Sequence, residues 1–126
     1  MADRAVPDSS SRAVVVPVAG EVDLAVAPVL REALADLLAA GRSDIYVDLL
    51  NATFLDSIAL GVLVGAIEKC REAGGSLHLL VSEPRIMRVL EITGLVTAFD
   101  IKDSRDALPA DHRSISQVAS KRESKP

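Results

Sequence analysis

The stretch Asp48-Leu49-Leu50-Asn51-Ala52-Thr53-Phe54-Leu55-Asp56-Ser57-Ile58-Ala59-Leu60-Gly61-Val62-Leu63-Val64-Gly65 runs from an apolar strand into an apolar helix, with Asp56-Ser57 at the junction. A helix start presents backbone N–H groups without intrahelical partners and the positive end of the helix dipole, so a negative group is tolerated there. A serine hydroxyl at that point is a candidate switch. Serine is also a favoured helix N-cap, and Asp56 suits the dipole whether or not it orients the hydroxyl or meets a partner's donor.

Working outward, Ile45-Tyr46-Val47-Asp48-Leu49 reads as a strand, and the helix is expected from about Ser57 to Ala73, closed by Gly74-Gly75. Upstream, Val14-Val15-Val16-Pro17-Val18 is a β-branched run. Pro17 removes a ladder donor and predicts an edge position or a bulge. Ala19 to Asp23 is read as a turn, placing Glu21 and Asp23 in a loop at a strand end, where parallel sheets carry their sites. Turn chemistry alone also accounts for both.

From Pro28 to Ala40, Leu30, Leu34, Leu37 and Leu38 recur at helical spacing, with Gly41 as the stop. Ala27 is a poor cap for that helix, and Asp23 is placed to compensate. Leu77 to Val81 is the next strand; Pro84 opens a third helix that Gly94 ends, and Ala98 to Ile101 is a short last strand. Short connections between alternating strands and helices imply one α/β domain: a mixed, mostly parallel sheet of four to five strands with helices packed against it. The expected organisation is a flexible N-terminal segment over 1–12, the folded domain over 13–108, with a short helical turn at 104–108, and a polar disordered tail over 109–126.

The composition narrows the function. With 126 residues and 49% apolar residues the chain fills one core, but only 2% are aromatic, so base-stacking platforms are few. The net charge of −4 argues against phosphate neutralisation, and direct nucleic-acid binding is not expected. No apolar run approaches the roughly 18 residues of a membrane span or forms a signal peptide, so a cytoplasmic protein without a membrane partner is the expectation. The single Cys70 suits a reducing compartment and, on the inner side of a helix, reads as core filler.

His78 and His112 lie far apart in the chain, and no nucleophile with its base, metal cluster or phosphate loop is apparent. A non-enzymatic protein without cofactor or metal is therefore expected. A small hydrolase or nucleotide-binding enzyme rests only on generic α/β character. With the helix starting at Ser57, Leu60, Leu63, Val64, Ile67 and Cys70 fall on its core side, and Ile58, Val62, Gly65, Lys69 and Glu72 on the other. Ile58 and Val62 then read either as an apolar docking strip beside Ser57 or as core beneath the Asp23 loop.

Gly20-Glu21-Val22-Asp23, the Phe54-Leu55-Asp56-Ser57 centre and Gly94-Leu95 after the third helix together resemble the STAS-domain anti-sigma factor antagonists, over about Val14 to Ile101. The resemblance implies a STAS-like fold whose surface binds an anti-sigma factor that is also a serine kinase, releasing a sigma factor. Ser57 is then the phosphoacceptor, phosphorylation blocks binding and a serine phosphatase restores it. Glu21, Asp23, Asp56, Ile58 and Val62 are the expected partner-binding residues. The family commonly follows Asp-Ser with Ser or Thr and then Gly, where this chain has Ile58 and Ala59, and it commonly has a hydroxyl residue where Val26 stands here. A constitutive STAS scaffold or stressosome-like module, not phosphorylated at Ser57, is the alternative.

Overall fold

Five strands lie side by side in the order β4-β3-β2-β1-β5 in a computed structural model that describes residues 13–118. They are β1 Val14–Val22, β2 Asp44–Leu55, β3 Ser76–Leu80, β4 Asp100–Lys102 and β5 Arg113–Ser114. The helices are α1 Ala27–Ala39, α2 Ser57–Glu72 and α3 Pro84–Ile92, with short 3-10 turns at Leu95–Thr97 and Arg105–Ala107. Every strand pair is parallel, so the expected mixed sheet is fully parallel. Each β–α–β step demands this, because a helix carries the chain back before the next strand begins.

The helices share one face of the sheet. Val16, Val47 and Leu79 in neighbouring strands join Leu30, Leu34, Leu63, Ile67, Ile86 and Leu90 from the helices in one apolar cluster. Burying each such side chain contributes about 1.5–3 kcal/mol. The other face is smaller: Ala13, Val15, Tyr46 and Leu80 pack with Leu50 and Leu108.

Leu108 belongs to the segment that leaves β4 at one sheet edge and reaches β5 at the other, over this second face. On the way, Arg105 places Nε 2.9 Å and Nη2 2.8 Å from Oδ2 of Asp48, which is 3% exposed. The other carboxylate oxygen of Asp48 accepts from the Leu50 N–H at 3.0 Å. Residues 113–118, within the stretch expected to be a disordered tail, thus edge the sheet: Arg113 and Ser114 pair with Val14 and Val15, and buried Val118 bridges Val18. Residues 1–12 and 119–126 lie outside the described residues.

Pro17 illustrates how this edge works. It has no N–H to give, and the β1–β2 register shifts between Pro17 and Ala19, the bulge its chemistry predicts. Its carbonyl still accepts from the Val118 N–H at 2.7 Å. β1 also continues past the expected turn to Val22, where Glu21 and Val22 pair with Phe54 and Leu55.

Candidate functional site

β1 and β2 outrun β3, and their carboxyl ends stay together. The Asp56 N–H donates to the Val22 carbonyl at 3.1 Å, locking the loop that leaves β1 beside the start of α2. Glu21, Asp23, Asp56 and Ser57 are therefore carried by two adjacent strand ends, where parallel sheets build their sites.

The loop after β1 is held by Asp23, whose Oδ1 accepts from the N–H groups of Ala25 at 3.0 Å and Val26 at 3.3 Å. Its carbonyl accepts from Val26 and Ala27. Val26, at the N-cap position of α1, offers no side-chain cap, so Asp23 supplies the missing acceptors from the loop. The turn leaves Leu24 63% exposed.

Asp56, and not Ser57, caps α2. Its backbone is extended (φ −92°, ψ 177°), and Oδ1 accepts from the Ala59 N–H at 2.9 Å, three residues on. That geometry is the strong N-cap arrangement, and Asp ranks with Ser as a capping residue. Ser57 becomes the first helical residue, exposed, and its hydroxyl has no hydrogen-bond partner among the described residues.

Ile58 is 46% exposed beside it, whereas Val62, expected on the outward side, is only 7% exposed. Val62 lines the crease between α1 and α2 with Leu34 and Leu38. Because α2 packs on both the sheet and α1, its buried arc takes in Ala59, Val62 and Ala66 in addition to Leu60, Leu63, Ile67 and Cys70. Glu21 is exposed, while Asp23 and Asp56 are half-buried. Three carboxylates and two exposed aliphatic side chains thus lie at the two strand ends that also carry the free hydroxyl.

Several polar groupings escaped sequence reasoning. His78 stacks on Tyr46 with ring centroids 4.1 Å apart. Its Nδ1 lies 2.7 Å from Asp100 and its Nε2 3.1 Å from Asp44. The His78 contact, with Lys102 assisting, holds the Asp100 carboxyl below its ordinary range. Burial, with the nearby Asp44 charge, raises the Tyr46 hydroxyl, and the same two causes push the Cys70 thiol up, which keeps it in the unreactive form. Among the described residues no group of three or more His, Cys, Asp or Glu side chains is arranged to hold a metal ion. No described helix is long and apolar enough to cross a membrane.

The family model for the STAS domain matches residues 5–108. The chain is 42% identical over 86 residues to the anti-sigma-B factor antagonist of Bacillus subtilis (strain 168), covering 68% of this chain and 78% of that protein. It superposes on the crystal structure of an anti-sigma factor antagonist from Mycobacterium paratuberculosis with a TM-score of 0.67 at 31% identity, covering 74% of this chain and 80% of the other. The Bacillus cell fate determinant SpoIIAA in its phosphorylated form shares the fold at 20% identity, with a TM-score of 0.61 over 77% of this chain and 89% of that one.

Proposed function

This chain belongs to the STAS-domain anti-sigma factor antagonist family, and from that premise we propose that it binds an anti-sigma factor carrying serine kinase activity, in the cytoplasm, and so releases a sigma factor. The docking surface is the lip formed by Glu21, Asp23, Asp56 and Ile58, with Val62 supporting α2 from beneath. Phosphorylation of Ser57 ends binding, and a serine phosphatase restores it. The observation that carries this reading is the free, exposed Ser57 hydroxyl on a helix whose cap is supplied by its neighbour.

Because Asp56 does the capping, Ser57 can be modified without disturbing α2. A phosphate adds about −1.5 to −2 charges at the helix start. The dipole there favours negative charge by roughly 0.3–1 kcal/mol, which offsets part of the repulsion from Asp56. A partner that has covered Ile58 and paired with the carboxylates meets instead a hydrated dianion. The change falls on the complex and spares the fold.

A constitutive module is the second reading, favoured by the apolar Ile58 and Ala59 that follow Ser57. Titration of the purified anti-sigma factor with wild type, Ser57→Ala and Ser57→Asp separates the two. The switch requires Ser57→Ala to bind like wild type and Ser57→Asp to lose at least about tenfold, equivalent to about 1.4 kcal/mol. Equal affinity for all three would establish the constitutive module instead.

A further inference from the structure

Phe54 is one of only three aromatic residues in the chain, and it is 45% exposed. A bulge puts it there. Gly20 pairs with Ala52 but Glu21 pairs with Phe54, so β2 carries one extra residue, Thr53, against β1. Ala52 and Leu55 both enter the core across that irregularity, and Phe54 is turned out of it. Bulges commonly re-aim a side chain next to a functional site, and the side chain re-aimed by this one lies three residues before Ser57.

Phe54 does not stand alone. With Leu55 it forms one wall of a hollow of about 250 Å³, and Arg85, Arg88, Val89 and Ile92 of α3 form the other. Ile92 is 74% exposed. Arg85, Arg88 and Ile92 follow helical spacing along one side of α3, and because the lining of the hollow is almost wholly apolar the two exposed arginines meet it with their aliphatic stems and carry their charges to its rim. Arg85 lies 3.5 Å from Glu83, whereas Arg88 has no ionic partner among the described residues. On a chain of net charge −4, an apolar hollow rimmed by two cations is complementary to a segment with the opposite pattern.

We propose that this hollow is a second docking point for the same anti-sigma factor, occupied by a partner segment that inserts an apolar side chain between Phe54 and Ile92 and presents carboxylates to Arg85 and Arg88. The inference rests on the partner-binding reading above and extends it from the Ser57 lip to α3. The aromatic anchor and the arginine are the residue types that concentrate binding energy at interfaces. The guanidinium pair also makes that half of the contact sensitive to salt.

The test titrates the anti-sigma factor against the full chain as wild type, Phe54→Ser, Arg88→Glu and Ile58→Asp, at low and high salt, with urea unfolding confirming that each variant is folded. Phe54→Ser and Arg88→Glu should each weaken the complex roughly tenfold, and Arg88→Glu should flatten its salt dependence. Both positions are exposed, and Arg88→Glu keeps the test decisive should Phe54→Ser prove unstable. Loss on Ile58→Asp with wild-type affinity for Phe54→Ser and Arg88→Glu would overturn the α3 contact and leave the Ser57 surface standing. Wild-type affinity for all three variants would overturn both.

Discussion

Replacing Asp56 by Ala should destabilise the protein far more than replacing Ser57 by Ala, although both residues are good capping types at the same helix end. Asp56 Oδ1 accepts from the Ala59 N–H at 2.9 Å, and Ala59 is fully buried. Loss of an N-cap costs about 1 kcal/mol, within a range of roughly 0.5–2. Loss of the negative charge at the N-terminus adds about 0.3–1 kcal/mol. Because the abandoned donor is not free to meet bulk water, the sum should fall near 2 kcal/mol. For a domain of this size that lowers the melting temperature by about 8 °C. Asp56→Asn keeps the acceptor and loses only the charge, so it should cost about 0.5 kcal/mol. Ser57→Ala removes no hydrogen bond among the described residues and should stay within about ±0.5 kcal/mol. Urea unfolding of the four proteins, fitted with a common m-value, reads these differences directly. A Ser57→Ala cost equal to that of Asp56→Ala would mean that the hydroxyl is the cap, and the reasoning that leaves it free for modification would be refuted.

Two further outcomes test the rest of the structure. Arg105→Met leaves the buried Asp48 carboxylate with the Leu50 N–H as its remaining partner, and should cost about 2 kcal/mol by urea unfolding. Because Arg105 is itself half exposed, water can replace part of the contact. Asp48→Asn with Arg105→Met should therefore be non-additive, and simple additivity would show that the segment crossing the second face is not held by this pair. Asp100, whose folded pKa is depressed chiefly by its hydrogen bond to His78, contributes stability above its ordinary value of 3.8 that is lost as pH falls through the folded value. The stability gap between wild type and Asp100→Asn should thus be fully present above the ordinary carboxylate range and close as pH falls below it. It should stay well under 1 kcal/mol, since the carboxylate is half exposed and screened. A gap that widened on acidification would contradict the assignment.

Much of the architecture follows from local pattern. The β-branched runs, the leucine spacing of α1, Pro84 at the start of α3 and the left-handed Gly41, Gly74 and Gly94 after the helices mark where the strands begin and where the helices lie, whereas β1 and β2 run on to Val22 and Leu55, past the expected ends at Val18 and Leu49. What local pattern does not carry is which side of α2 meets α1. Placing Val62 outward assumed a helix with one apolar contact, whereas α2 has two. The cap was displaced by one residue because Asp56 and Ser57 are equally suited by type, and the extended backbone at Asp56 decides between them. Exposure of Phe54 depends on a bulge set by pairing with β1, and the Asp48–Arg105 pair joins residues 57 positions apart. Residues 113–118 look like polar tail because only Val118 and half-buried Ile115 carry apolar surface inward, the rest lying on an edge.

The proposed switch turns on a hydroxyl that can accept charge while the fold beneath it stays unchanged. Incubating the full chain with the anti-sigma factor kinase and ATP, then reading intact mass and rebinding of the product, addresses this most directly. One added phosphate on wild type, none on Ser57→Ala, and a phosphorylated product that melts like the unmodified protein yet no longer binds is the predicted result. A phosphate that appears on Ser57→Ala as well, or a phosphorylated chain that binds undiminished, would contradict it.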